Sequence, residues 1–214
     1  MDLKTLQPLL KSGTSRIVLL VLDGLGGVPD PQHGQTELEA ARTPNLDTLA
    51  AESICGLHIP IAPGITPGSG PSHLALFGYD PLRYQVGRGV LSALGIDFDL
   101  RKEDVAARGN FCTVDESGTV TDRRAGRIST EKNRELCELL REIRLETGEL
   151  FIQTVKEHRF LFVLRGRGLD GRIHDTDPQQ TGQKPRKANP LAEEANETAA
   201  LVDEFAAKAK AKLR

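Results

Sequence analysis

The run RIVLLVLDG, residues 16–24, limits most what this chain can fold into. Ile17 to Leu22 are apolar without interruption, so the segment has strand length but no polar face to turn toward water. Such a run reads as a strand buried on both sides, as in a helix-covered parallel sheet, and it is far too short to span a bilayer. It stops at Asp23-Gly24, and ligands in open α/β sheets collect at the carboxyl ends of strands. After a Gly- and Pro-rich loop comes RTPNLDTLAAES, where Thr43 fits an N-cap, Pro44 the first helical position, and Leu46, Leu49 and Ala50 one apolar face. CGLHIP, from Cys55, reads as a short second strand. The alternation predicts a doubly wound α/β core through residue 95.

The pattern then changes. VAARGNFCTVDESGTVTDRRAGRI reads as two strands joined by a Gly-containing turn, and NRELCELLREIRLE as an amphipathic helix carrying Leu136, Leu139, Leu140 and Ile143. FIQTVKEHRFLFVLRG reads as a hairpin around Lys156-Glu157-His158. These elements predict a separate α+β unit. GRIHDTDPQQTGQKPRKANP is polar and Pro-punctuated, a linker or functional loop. In the last segment Asn189 fits a cap and Pro190 a first helical position, with an apolar face of Leu191, Ala195, Thr198, Val202, Phe205 and Ala209.

A chain of 214 residues is long enough for one large domain or two small ones. Its 28 basic and 30 acidic residues nearly cancel, so no bulk field favours nucleic acid or a membrane surface. Cys55, Cys112 and Cys137 are widely spaced without a CxxC, which suits a reduced, cytoplasmic setting. MDLKTLQPLLKSGTS shows no apolar core bounded by a cleavage-type site, so no signal peptide is expected.

Several residues are placed for chemistry. Asp23, at a strand end beside glycines, suits a metal ligand or a turn-forming Asp. GITPGSGPSHLALFGYDP puts Ser69 at a helix N-terminus, where free N–H groups stabilise an oxyanion or phosphate. Ser69 is therefore either a nucleophile in need of activation or a helix cap, and its context is not the G-x-S-x-G elbow. His73, one turn on, is a ligand-orienting group or a structural hydrogen-bonder. The glycines of VGRGVLSALG follow no convincing strand and do not make a dinucleotide fingerprint. Arg123, Arg124, Arg127, Arg165 and Arg167 form either a clamp for a small acidic substrate or a solvated face.

LLVLDGLG, TPNLDTLA, GSGPSHLALFGYDP and GRGVLSALG occur in that order, followed by NFCTVD, DRRAGRIS, HRFLFVLRG and DTDPQ. Together they resemble the archaeal-type cofactor-independent phosphoglycerate mutases of the alkaline phosphatase superfamily, over residues 16 to 210. The resemblance implies an α/β fold: a partial alkaline-phosphatase-like doubly wound core (1–96), an inserted α+β substrate-binding domain (97–185), and a helix leading back toward the core (186–214).

The resemblance further implies a metal-dependent isomerase interconverting 3- and 2-phosphoglycerate through a phosphoserine. Asp23 matches a metal ligand, Ser69 the serine that carries phosphate and touches metal, and Arg124, Arg127, Arg165 and His73 the substrate-binding groups. Two divalent ions are implied, manganese or else magnesium, cobalt or zinc. Family members are longer, and their remaining Asp and His metal ligands lie in a second half, so this sequence matches the N-terminal half only. The expected partners are a small phosphorylated acid and a separately encoded C-terminal half or a second copy. The alternatives are a superfamily phosphatase or phosphonate hydrolase, and a non-catalytic half-protein that binds a phosphorylated ligand.

Overall fold

Phe160, Phe162 and Leu164 pack on one side of a strand and Leu161 and Val163 on the other, and all five are buried. A strand buried on both faces needs a cover on each, and residues 82–214 supply both. The computed structural model describes residues 3–22, 24–65 and 67–213. Its strands are β1 (Asp104–Asn110), β2 (Thr113–Val114), β3 (Val120–Asp122), β4 (Glu149–Lys156) and β5 (Arg159–Arg165). Its helices are α1 (Leu3–Leu6), α2 (Glu37–Ala40), α3 (Pro44–Ala51), α4 (Ser69–Leu76), α5 (Arg88–Leu94), α6 (Thr130–Arg141) and α7 (Asn196–Lys212). The chain divides into two units, Met1–Pro67 with Ser72–Pro81, and Gly68–Pro71 with Leu82–Arg214.

In the second unit β1, β5 and β4 form an antiparallel sheet in that order, with β5 central. The hairpin expected around Lys156-Glu157-His158 is the β4–β5 connection. One face is covered by α6 and α7, where Cys137, Leu140, Ile143, Leu201 and Phe205 pack with Phe160, Phe162 and Leu164. The Phe162 and Phe205 rings lie 4.8 Å apart at their centroids. The other face is covered by α5, whose Ala93 meets Leu161 and Val163, with Ile96, Phe98 and Phe151 around them. Each fully buried Leu, Val or Phe contributes about 1.5–3 kcal/mol. Glycine sets the approach of α5, because a Cβ at Gly89 would overlap the carbonyl of Ala106 in β1.

Ser129 caps α6 by accepting from the Lys132 N–H at 3.2 Å. Its buried stripe is Asn133, Cys137 and Leu140, while Leu139, expected inside, is 40% exposed. Asn133 replaces an apolar contact with two bonds, donating from Nδ2 to the carbonyls of Glu157 (2.6 Å) and Arg159 (2.9 Å). The helix start is thereby fastened to the hairpin turn.

Three sequence expectations are corrected. VAARGNFCTVDESGTVTDRRAGRI is not one two-stranded piece, since β1 pairs with β5 and the hairpin is the short β2–β3 pair, turning at Gly118 with φ +83°. Asn189 and Pro190 do not start the last helix. Their backbone joins residues 172–174 through the Ile173–Pro190 bridge and the His174 N–H to Asn189 carbonyl bond, so α7 begins at Asn196. The loop before it is pinned, with Val120 and residues 182–183 exchanging backbone bonds of 2.9 Å.

The third correction concerns the first unit, which holds short helices and turns. Thr36 and Glu39 form a capping box at α2, and Thr43 bonds Asp47 instead of capping α3 through its side chain. No strand occurs before Asp104 among the described residues. Ile17–Leu22 and the CGLHIP segment carry no regular structure, and Ile17 and Val18 are 95% and 90% exposed. A strand exists only as a member of a ladder with its faces covered, and the described residues offer these segments neither. Among the described residues no helix is long and apolar enough to cross a membrane.

Candidate functional site

Asn110 lies opposite Arg159 in the β1–β5 ladder, and Arg108, two residues earlier, falls on the same face. That face also carries α5 and the Ala93–Leu161–Val163 cluster, so apolar cover gives way to charge toward the β4–β5 turn. Arg108 Nε, Asn110 Oδ1, Arg159 Nε and, in the turn itself, His158 Nδ1 are buried and have no hydrogen-bond partner among the described residues. An unpaired buried polar atom costs about 1–3 kcal/mol. Several at one end of one sheet make this end the candidate site.

The electrostatics agree. Burial pushes the Arg108 guanidinium below its ordinary pKa, Arg88 and Arg159 push the same way, and Asp177 and Asp175 oppose them. Burial likewise lowers His158, helped by Arg159, Arg124 and Arg127 against Glu157. Positive groups therefore crowd one another here, and a bound anion relieves that crowding. Asp177 is already engaged, taking Arg123 Nη2 at 2.8 Å and Nε at 3.2 Å.

Arg124 and Arg127 are presented by the turn after β3. Asp122 accepts the N–H groups of Arg124 and Gly126, both at 2.7 Å, which holds its carboxyl below the usual range. Ala125, Gly126 and Arg127 are consecutively left-handed, with φ of +47°, +61° and +53°. Two non-glycine residues in that region store strain, a pattern concentrated at functional sites. Arg127 Nη1 reaches Glu157 Oε2 at 3.8 Å, at the hairpin turn beside His158.

Ser69 opens α4 and belongs, with Gly68 to Pro71, to the same unit as these arginines. A Cβ at Gly70 would lie 2.6 Å from Leu91 of α5, and one at Gly68 would lie 3.8 Å from Arg88 Nη2. Two glycines thus bring the first turn of α4, with exposed Ser69, against the start of α5 where Arg88 sits. His73, further along α4, is exposed and falls in the first unit.

The structure places Arg165 elsewhere. Arg159 and Arg165 are the first and last residues of β5, roughly 20 Å apart at about 3.3 Å per residue. Arg165 is engaged there by Asp104, with Nε–Oδ1 and Nη2–Oδ2 both 2.7 Å, and its guanidinium lies 4.7 Å from the Phe151 ring centroid. Asp23 lies outside the described residues. Among the described residues no three His, Cys, Asp or Glu side chains gather to hold a metal ion, so the donors on hand do not fit a two-ion site.

Arg88, Arg108, Asn110, His158 and Arg159 were not singled out by the sequence. The available signal was alternation. Arg108 and Asn110 are spaced by two in AARGN, and once β1 is paired with the HRFLFVLR arm, Arg159 falls opposite Asn110 on the same face.

The profile of the 2,3-bisphosphoglycerate-independent phosphoglycerate mutase family matches residues 50–214. A probable 2,3-bisphosphoglycerate-independent phosphoglycerate mutase of Thermus thermophilus is 56% identical over 206 residues, covering 95% of this chain and 51% of the relative. Another so named, from Deinococcus radiodurans, is 48% identical over 216 residues, covering 99% and 53%. The solved cofactor-independent phosphoglycerate mutase from Thermoplasma acidophilum superposes with a TM-score of 0.56 at 37% identity, over 90% of this chain and 51% of that one. The chain spans about half the length of the curated relatives it matches. Its fold is the mixed helix-and-sheet arrangement of that part of the relatives, and the chain belongs to the 2,3-bisphosphoglycerate-independent phosphoglycerate mutase family.

Proposed function

We propose that this chain supplies the phosphate-accepting serine and the substrate clamp of a mutase interconverting 3- and 2-phosphoglycerate. One observation carries the reading. The first turn of α4, with Ser69, packs beside Arg88 in the unit where Arg88, Arg108 and Arg159 crowd one another around unpaired buried donors.

Ser69 Oγ attacks phosphorus, the bond from phosphorus to the C3 oxygen breaks, and the serine proton ends on the departing glycerate hydroxyl. Glycerate stays held through its carboxylate by Arg108 and Arg159, with Arg124 and Arg127 closing from the β3 turn. It reorients, and its C2 hydroxyl takes the phosphoryl group back, returning a proton to Ser69. The guanidinium groups hold a carboxylate bidentately and keep the phosphorylated serine screened from water. Asp104 already occupies Arg165, which we assign to the scaffold.

The two divalent ions implied by the resemblance, manganese or another, require donors beyond those gathered among the described residues. Turnover is therefore proposed to depend on a complementing polypeptide, equivalent to the remainder of the relatives or supplied by a second copy, in the cytoplasm. The exposed Ile17–Leu22 segment supports this, because a strand-forming apolar run is available for pairing. The test combines the chain with the separately produced C-terminal half of the Thermus thermophilus relative and manganese. Conversion of 3- to 2-phosphoglycerate with a phosphoryl mass on the Ser69 peptide is expected, and Ser69→Ala should abolish both. Full activity in Ser69→Ala would end the proposal. Release of free phosphate in place of isomer would select the phosphatase alternative.

A further inference from the structure

Within the clamp, three of the buried unpaired atoms are donors or ring nitrogens, on Arg108, Arg159 and His158, and one is an acceptor, Asn110 Oδ1. A carboxylate or phosphate satisfies guanidinium donors but offers nothing to an amide oxygen, which needs a hydrogen. Asn110 and Arg159 are directly opposite in the ladder, close enough for cross-strand neighbours to pair, yet Oδ1 and Nε remain separately unsatisfied. Both side chains thus keep their bonding capacity for a third group. Of the two carboxylates that act on Arg108, Asp177 is taken by Arg123, and Asn110 Oδ1 is the buried unpaired acceptor beside the guanidinium groups among the described residues.

We infer that Asn110 is a specificity-determining residue that accepts a hydrogen bond from the hydroxyl of an anion held by Arg108 and Arg159, so that the site selects a hydroxy acid over its deoxy counterpart. The inference rests on the proposed clamp and adds to it the reading of the free hydroxyl of phosphoglycerate. A ligand lacking that hydroxyl leaves the buried amide oxygen unpaired and loses the discrimination that pairing supplies.

The test is titration calorimetry of the full 214-residue chain with 3-phosphoglycerate and with the phosphate ester of 3-hydroxypropionate, which lacks only the C2 hydroxyl. The chain should bind 3-phosphoglycerate about tenfold more tightly. Asn110→Ala should bring the two affinities together by weakening only 3-phosphoglycerate. Arg159→Gln should weaken both alike and keep their ratio. Amide spectra of each variant verify folding, and the wild-type ratio needs no variant. Equal binding of both ligands by the wild-type chain, or an Asn110→Ala variant that weakens both equally, overturns the inference while leaving the arginine clamp in place. If neither ligand binds, the inference and the clamp are overturned together.

Discussion

Arg165 closes on Asp104 with two bonds of 2.7 Å at the end of β5 opposite Arg159. The Asp104 side chain is fully covered and the guanidinium stacks on Phe151, so this pair is architecture. Asp104→Asn leaves a half-buried cation without its carboxylate, and a loss of about 3 kcal/mol is expected from denaturant unfolding. The Arg165 guanidinium beside it holds the Asp104 carboxyl below its ordinary value of 3.8. The stability from the pair is therefore present above pH 3.8 and lost as pH falls through the lower folded value. Arg165→Gln should lower stability while leaving the ratio of ligand affinities unchanged. A selective loss of 3-phosphoglycerate binding in Arg165→Gln would return this residue to the clamp.

Gly89 is where α5 touches β1, and Gly89→Ala would drive a Cβ into the Ala106 carbonyl. Backbone cannot yield as a flexible side chain can, so a cost of about 1–3 kcal/mol is expected from the urea midpoint. Because α5 also carries Arg88, the variant should weaken anion binding as well. Gly171→Ala, whose Cβ would meet only Val105 Cγ1 at 3.7 Å, serves as the near-neutral control. If both variants unfold at the same denaturant concentration, the helix is not set by that contact.

Local chemistry made the second unit legible. The turn at Lys156-Glu157-His158, the stripe through Leu136 and Leu140, and the helix start at Ser69 all follow from spacing alone. What spacing does not contain is pairing. Arg165 and Arg159 look alike in HRFLFVLR, and only the ladder shows one meeting Asp104 and the other facing Asn110. Ile17–Leu22 failed as a local reading for a related reason, since apolarity reports a need for burial and the neighbours that meet it lie elsewhere in sequence. Asn189-Pro190 has proper helix-start chemistry, overridden by pairing with residues 172–174.

Asp122 is the post on which the strained turn hangs. Asp122→Ala removes the acceptor of the Arg124 and Gly126 N–H groups, and Ala125 and Arg127 then have no reason to remain left-handed. Faster amide exchange at Gly126 is expected, with 3-phosphoglycerate affinity reduced about tenfold through loss of two charge-assisted contacts. Asp122→Asn keeps one acceptor oxygen and should recover part of the protection. Unchanged affinity alongside a melted turn would show that Arg124 and Arg127 do not reach the ligand.

His158 supplies the pH dependence. It is buried, 2% exposed, and its pKa is pushed below 6.5 first by burial and then by Arg159. Between 6.5 and the lower folded value, the unfolded chain takes up a proton that the folded chain refuses. Stability should therefore fall as pH drops through 6.5 and level off only once the folded imidazole also titrates. His158→Gln should flatten that slope between about pH 7 and pH 5. A bound anion changes the sign of the local field, so saturating 3-phosphoglycerate should raise the His158 pKa, read from its imidazole proton shifts across the titration. By linkage, binding should then take up protons near the imidazole pKa and tighten as pH falls toward it. An imidazole that titrates identically with and without ligand would place His158 outside the reach of the bound anion, and its unpaired Nδ1 would then belong to the hairpin turn alone.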